Sequence, residues 1–291
     1  RLRTVTGVQT CALPISESQF QSLAKSPRLT QGTLTGNLQG AVVAREVSDL
    51  SGTLELAAGA VAVPGLPIPI TEVGGKVEFQ DDRFNLRNLE ATWGVAQGSL
   101  TGVVVANWQN WQQSTVEMKA VLKPLGIRSV LEPLGIGANL PLEGTWKTDF
   151  ALSGTLQNLA VAGRLGSVEG VTVTLPGRES PLPLEGLSGR FQTQFNPLAL
   201  AQGPRPALNL SLSELEAIPT VGGRIAGGGE VTIDPQGLFS SDLNLDLSVE
   251  QIPADALAAQ MGQKFPIAVG TIAAQTQVTG TIANPQVLVA L

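Results

Sequence analysis

Residues 243–249 read Leu-Asn-Leu-Asp-Leu-Ser-Val, and whether this stretch is strand or helix decides the fold. Its apolar side chains fall at every second position: Leu243, Leu245, Leu247 and Val249 on one side, Asn244, Asp246 and Ser248 on the other. A helix would scatter these residues around its axis, because its side chains repeat every 3.6 residues; a strand sends successive side chains to opposite faces and sorts them. The stretch therefore reads as a strand with one dry and one wet face. The same alternation runs through Leu208, Leu210 and Leu212, through Val171 and Val173, through Val116 and Met118, and through Trp146, Thr148, Phe150 and Leu152. Gly and Pro punctuate these runs about every 8 to 12 residues, as antiparallel meanders require. Helical pattern is confined to two short segments starting at Ile127 and Pro253, the second with Gly262 past its end.

The chain also repeats itself, which bears on architecture before any single element does. "GTWKTDFALSGTLQNLAV" from Gly144 aligns without a gap on "GTIAAQTQVTGTIANPQV" from Gly270, an offset of 270 − 144 = 126 residues. The triplet Leu89-Glu90-Ala91 recurs as Leu215-Glu216-Ala217, again 215 − 89 = 126 apart. An early copy of the last motif is read in "LTGNLQGAVV" from Leu34. These matches divide the chain into two repeat units, 17–157 and 158–291, of a longer array.

Composition excludes several kinds of chemistry. The 291 residues contain no His and no Tyr, and a single Cys at position 11. Ser-His and Cys-His catalysis are ruled out, and with them the common metal ligands. The 24 Asp and Glu are scattered singly along polar positions, which reads as a solvated sheet face; Asp81-Asp82 falls in an expected turn. No enzyme, no metal site and no cofactor are expected. The net charge of −6 and the dispersion of the 18 Lys and Arg argue against a nucleic-acid partner, which needs a basic stripe. Gly223 to Ile233, "GRIAGGGEVTI", lacks the Lys-Ser/Thr of a phosphate loop and leads into a strand, so its glycines are expected to permit a bulge or a curl. Trp108 and Trp111, in "NWQNW", are expected at a strand end or turn on the rim of the apolar face, since no basic residues stand near them to make a base-stacking platform.

The amino-terminal stretch is different in kind. "VTGVQTCALPI", residues 5–15, resembles the translation of a sequencing adapter, which makes residues 1–16 a non-native segment and Cys11 a scar. The other reading is an ordinary disordered terminus.

A sheet with one apolar face must cover that face, and three ways are open. A second sheet can pack on it as a β-sandwich, the sheet can extend strand by strand as repeat proteins do, or the sheet can form a trough covered by ligand acyl chains. If the face lines a groove, its lining is Val116, Met118, Phe150, Leu152, Val171, Val173, Leu208, Leu210, Leu212, Leu243, Leu245, Leu247, Val249, Val278 and Ile282.

The recurring Leu152-Ser153-Gly154-Thr155-Leu156 and Val278-Thr279-Gly280-Thr281-Ile282 carry a family likeness. With the strand starts Gly75-Lys76-Val77 and Gly189-Arg190-Phe191, they resemble the AsmA-like superfamily, in particular its TamB-type (translocation and assembly module) members, over nearly all of residues 17–291. The resemblance implies an all-β, elongated, repeating antiparallel β-groove (a U-shaped β-taco) with short helices at the repeat junctions. It implies a non-enzymatic periplasmic scaffold that conducts phospholipids between the inner and outer membranes of a Gram-negative envelope and supports outer-membrane biogenesis. Its partners are phospholipid acyl chains, neighbouring repeats of the same chain, and an outer-membrane β-barrel met through a carboxy-terminal domain outside this stretch. The inner-membrane anchor likewise lies outside it. The competing expectation is a structural β-sandwich repeat of a surface or adhesin-like protein.

Deleting residues 1–15 is expected to leave the thermal midpoint and any lipid binding unchanged. A calorimetric midpoint shifted by several degrees would return the segment to the native protein.

Overall fold

A computed structural model describes residues 28–43, 46–62, 68–131, 142–174, 181–196, 207–234, 237–260 and 270–290. Cys11 and the adapter-like segment lie outside the described residues. The chain is all-β, with sixteen strands among those residues joined in one antiparallel sheet. They are β1 (Arg28–Val43), β2 (Glu46–Ala62), β3 (Ile70–Gln80), β4 (Arg83–Trp93), β5 (Ala96–Val105), β6 (Thr115–Gly126), β7 (Leu142–Glu143) and β8 (Thr145–Thr155). There follow β9 (Asn158–Ser167), β10 (Val171–Val173), β11 (Leu182–Phe195), β12 (Leu208–Pro219), β13 (Arg224–Ile233), β14 (Asp242–Pro253), β15 (Thr271–Thr281) and β16 (Pro285–Ala290). Spatial order follows chain order from β1 to β16, except that β7 and β10 pair with each other beside the main path. Two short helices, α1 (Ile127–Leu131) and α2 (Ala254–Gln260), follow β6 and β14 directly.

The described residues group into two compact units. Unit 1 holds those up to Leu122 together with Ala151–Ala160, Phe195 and Asn196; unit 2 holds Lys123–Phe150, Val161–Gln194 and those from Pro204 onward. Unit 2 has a small packed core, in which Trp146, Val171 and Leu184 are buried and Ile127, Leu142, Leu165 and Leu187 pack around them. The Trp146 Nε1 has no hydrogen-bond acceptor among the described residues.

The repeat is present in the backbone as well as in the sequence. Asn88 and Glu214 have positive φ (48° and 50°), at an offset of 214 − 88 = 126. Each sits in a β-bulge, between Leu86 and Leu89 in β4 and between Leu212 and Leu215 in β12. The Ser114 hydroxyl accepts the Asn107 N–H at 2.9 Å and the Ser241 hydroxyl accepts the Asp234 N–H at 3.0 Å, both offset by 241 − 114 = 234 − 107 = 127. Their carbonyls accept the N–H groups of Leu156 and Ile282, which are 126 apart. Both serines are buried, so these bonds satisfy groups that would be costly to leave unpaired. The early copy at Leu34 does not share this geometry. Residues 34–43 run within β1, whereas Leu152–Val161 contains the turn between β8 and β9; like composition in an uninterrupted strand produced the match.

Two glycines show why the pattern needs residues without a Cβ. Gly102 and Gly229 have φ of +148° and +147°, and a Cβ on either would stand 2.1 Å from a carbonyl oxygen of the next strand, that of Glu117 or Asn244. No side chain fits there. Gly229→Ala is expected to cost on the order of 2–3 kcal/mol through backbone strain and overpacking, read as a lower urea midpoint. Gly237→Ala, where a Cβ meets nothing within 4 Å, is expected to stay within about 0.5 kcal/mol of the parent. Equal effects at both positions would remove the close approach as the reason for glycine.

Candidate functional site

Register places the apolar residues of neighbouring strands side by side, because directly opposed residues in an antiparallel pair share a face. In unit 2 one row runs across six strands as Phe191, Leu212, Gly229, Leu245, Val278 and Val287. The rows beside it are Thr193, Leu210, Val231, Leu243, Gly280 and Pro285, then Leu215, Gly227, Leu247, Thr276 and Val289, then Leu187, Ala217, Ile225, Val249 and Ala274. The reverse face carries Gln192, Ser211, Glu230, Asn244, Thr279 and Gln286 in one row, and Ser188, Glu216, Ala226, Ser248, Gln275 and Ala290 in another. One face is aliphatic and the other polar.

Unit 1 is built in the same way. Leu54, Val77, Leu86, Gly102 and Met118 form one row, and Gly52, Phe79, Phe84, Val104 and Val116 the next. Thr53, Glu78, Asn85, Val103 and Glu117 lie on the reverse face, as do Glu55, Lys76 and Arg87. Phe79 stacks on Phe84 with ring centroids 5.8 Å apart, and Trp108 meets Phe84 edge-on at 6.0 Å. Trp108 is 74% exposed, and its contact sets it at the end of the apolar face, between β5 and β6.

Apolar character is not matched by burial. In the unit 2 rows only Thr193 and Val231 are buried; Leu208, Leu210, Leu212, Leu243, Leu245, Leu247, Val249 and Val278 are all half-buried. Ser211, Glu230 and Asn244, on the reverse of the same strands, are exposed, so the aliphatic face is the more covered of the two. Among the described residues thirteen aliphatic or aromatic side chains are buried, seven of them in unit 1 and most beside strand ends or turns. The aliphatic face of unit 2 is thus only partly covered among the described residues, and its lining chemistry is that of hydrocarbon.

Of the residues singled out in the sequence, Leu210, Leu212, Leu243, Leu245, Leu247, Val249 and Val278 meet in these unit 2 rows, with Leu208 opposite Ile233 on the same strands; in unit 1 Val116 and Met118 stand in adjacent rows, and Val116 is buried. Phe150 and Leu152 lie half-buried on β8. Val171 is 1% exposed and belongs to the packed core, so it contributes no accessible surface; Val173 packs against that core and is half-buried. Ile282 stands in the turn after β15, its N–H donated to the Ser241 carbonyl. Leu54, Val77, Leu86, Phe191, Leu215 and Ile225 also stand in these rows and were not picked out from the sequence.

The polar face carries the charge, arranged in ion pairs. Glu78 accepts hydrogen bonds from Lys76 Nζ at 3.2 Å and Arg87 Nε at 2.8 Å; the Lys76 and Arg87 bonds hold its exposed carboxyl below the usual Glu value. In unit 2, Arg190–Glu214 and Arg224–Glu216 close at 2.7 Å around a depression of about 690 Å³ also lined by Lys147, Asp149 and Arg164. Exposed pairs of this kind keep the face wet and add little stability. The three glycines of β13 lie opposite the β12 bulge, where Ser213 and Glu214 together face Gly228, and the chain continues from them as strand to Ile233.

Among the described residues no helix is long and apolar enough to cross a membrane, and no three carboxylates gather where they could hold a metal ion. No protein-family model matches the chain, and neither a curated protein nor a solved structure is detectably similar to it.

Proposed function

We propose that the chain is a non-enzymatic, lipid-conducting scaffold of the TamB type, whose aliphatic face carries phospholipid acyl chains through the periplasm between inner and outer membranes. One observation supports this reading above the rest: eight aliphatic residues of β12, β14 and β15 are aligned in register on one face and remain only half-buried. Leu and Val surfaces suit mobile chains, since they offer contact without fixing a pose. Magnitude favours an acyl ligand as well. Burial contributes about 0.8 kcal/mol per methylene, so a tail of a dozen methylenes half-covered by the face gains roughly 5 kcal/mol. That is enough for loading and low enough for release. The acidic net charge and ion-paired outer face give anionic headgroups no electrostatic hold, which leaves the tail as the recognised part.

The expected outcome is phospholipid bound to the purified chain in native mass spectrometry, and chain-dependent transfer of a fluorescent phospholipid between vesicles. Leu245→Asp with Leu247→Asp places two carboxylates on the dry path, where each is costly to desolvate. Transfer falls at least about tenfold. Because neither side chain is fully buried, the fold survives with a loss of about 1–2 kcal/mol per site. Thr279→Asp with Gln275→Asp, on the polar face, leaves transfer within about twofold. A variant that unfolds outright instead identifies Leu245 and Leu247 as packed core and favours the sandwich repeat.

A further inference from the structure

Three aromatic rings meet at one end of the apolar face of unit 1. Phe79 and Phe84 are directly opposed on β3 and β4 and stack at 5.8 Å, and Trp108 meets Phe84 edge-on at 6.0 Å. Exposure rises along the series: Phe79 is 6% exposed, Phe84 is half-buried and Trp108 is 74% exposed. The corner therefore passes from dry to wet over three side chains. An ordered loop imposes the last step. Asn107 Oδ1 accepts the N–H groups of Gln109 and Asn110 at 3.1 and 2.9 Å, an arrangement that fixes a turn through its side chain. Gln157 Nε2 is donated to Gln112 Oε1 at 2.8 Å, which ties the loop to the turn between β8 and β9. From Ala106 to Thr115 the chain carries two Trp, five side-chain amides and no charge, so the loop is wettable without selecting for charge.

The other repeat unit serves as an internal control. Unit 2 makes the same serine closure, with Asp234 and Ser241 in the places of Asn107 and Ser114. Yet the directly opposed pair beside it is Thr193 and Leu210, and the residue that follows Asp234, in the place of Trp108, is Pro235. Thr193 is buried there, with its hydroxyl donated to the Asn209 carbonyl at 2.7 Å. The closure and the ladder thus form without any of the three rings, and the fold alone does not account for an indole held out in water.

We infer that this corner seats the ester-linked root of a phospholipid, where its tails give way to its headgroup. The inference rests on the lipid-carrying reading of the dry face and adds to it a place and a direction. An indole joins an apolar ring to one N–H donor, and such groups gather at the boundary between hydrocarbon and water. Trp108 offers both parts at the end of a dry face: its ring lies against Phe84, and its exposed side is free to meet an ester carbonyl with Nε1. The tails then pass Phe84 onto the row of Leu54, Val77, Leu86 and Met118, and the headgroup stands in water beyond the loop. A lipid seated in this way runs along the strands, with its polar end at the turn between β5 and β6.

The test is fluorine NMR on the whole chain with its tryptophans replaced by fluorotryptophan, the Trp108 resonance being the one lost in Trp108→Phe. The probes are phosphatidylcholines with a spin label on the tail, either next to the ester or next to the terminal methyl. The label beside the ester broadens the Trp108 resonance at least about threefold more than the label at the methyl end. Trp108→Ala weakens phosphatidylcholine binding about three- to tenfold, the scale of one aromatic contact, without moving the thermal midpoint, and Trp108→Phe regains part of that loss. Bound lipid in native mass spectrometry with equal broadening from both labels, with stronger broadening from the methyl end, or with undiminished affinity in Trp108→Ala would overturn this inference and leave the lipid reading standing. A chain that binds no phosphatidylcholine at all would overturn both.

Discussion

The fold depends on the backbone ladder of a single antiparallel sheet, because little else holds it. A globular β-protein gains most of its stability where two apolar faces meet. Here the densest packing is a small cluster around Trp146, Val171 and Leu184, while long aligned rows of Leu and Val remain half-buried. The strands are kept together by main-chain bonds, each contributing on the order of 1 kcal/mol net, and by cross-strand side-chain pairs of about 0.2–1 kcal/mol. Such a structure can leave one face uncovered without coming apart. A sandwich cannot.

Two consequences follow from relying on the ladder. Register must be held without a core to enforce it, and the bulges at Asn88 and Glu214 help to do so at equivalent places in the repeat. Each bulge sets two residues against one and fixes which residues lie opposite. The close approaches at Gly102 and Gly229 work in the same direction, since a strand slipped by one residue would bring a Cβ against a neighbouring carbonyl. The second consequence is chemical. A sheet lined by aliphatic side chains on one side and carrying ion pairs on the other presents apolar contact area on one face and charge on its reverse.

Much of this was legible in the sequence, and the limits are physical. Alternation at 243–249 gave β14 its faces, and the 126-residue offset matched elements that share turns, bulges and buried serines. The rows of unit 1 were harder to see because the bulge in β4 shifts the alternation by one residue: Phe84 and Leu86 lie on the dry face, but after Asn88 the sequence resumes at Leu89 and Ala91. The same break in β12 hid Leu215 behind Leu212. Val171 was read as a groove residue because alternation reports which face a side chain takes and not what stands above it; the burial of the short strand β10 with Trp146 and Leu184 is a tertiary fact. The glycines of β13 were read as permitting a bulge, and they run as strand opposite the bulge of β12, because residues without a Cβ tolerate the close approach that a bulge imposes.

The central claim is that hydrocarbon chains lie on one face of this sheet and not on the other. Site-specific photocrosslinking tests it directly, with a benzophenone amino acid placed singly at Leu212, Leu245 or Val278 on the aliphatic face and at Ser211, Asn244 or Thr279 on the polar face, followed by mass spectrometry of the chain purified from cells. The account predicts phospholipid adducts at the first three positions and none above background at the other three. Adducts at neither set, or equally at both, would contradict it.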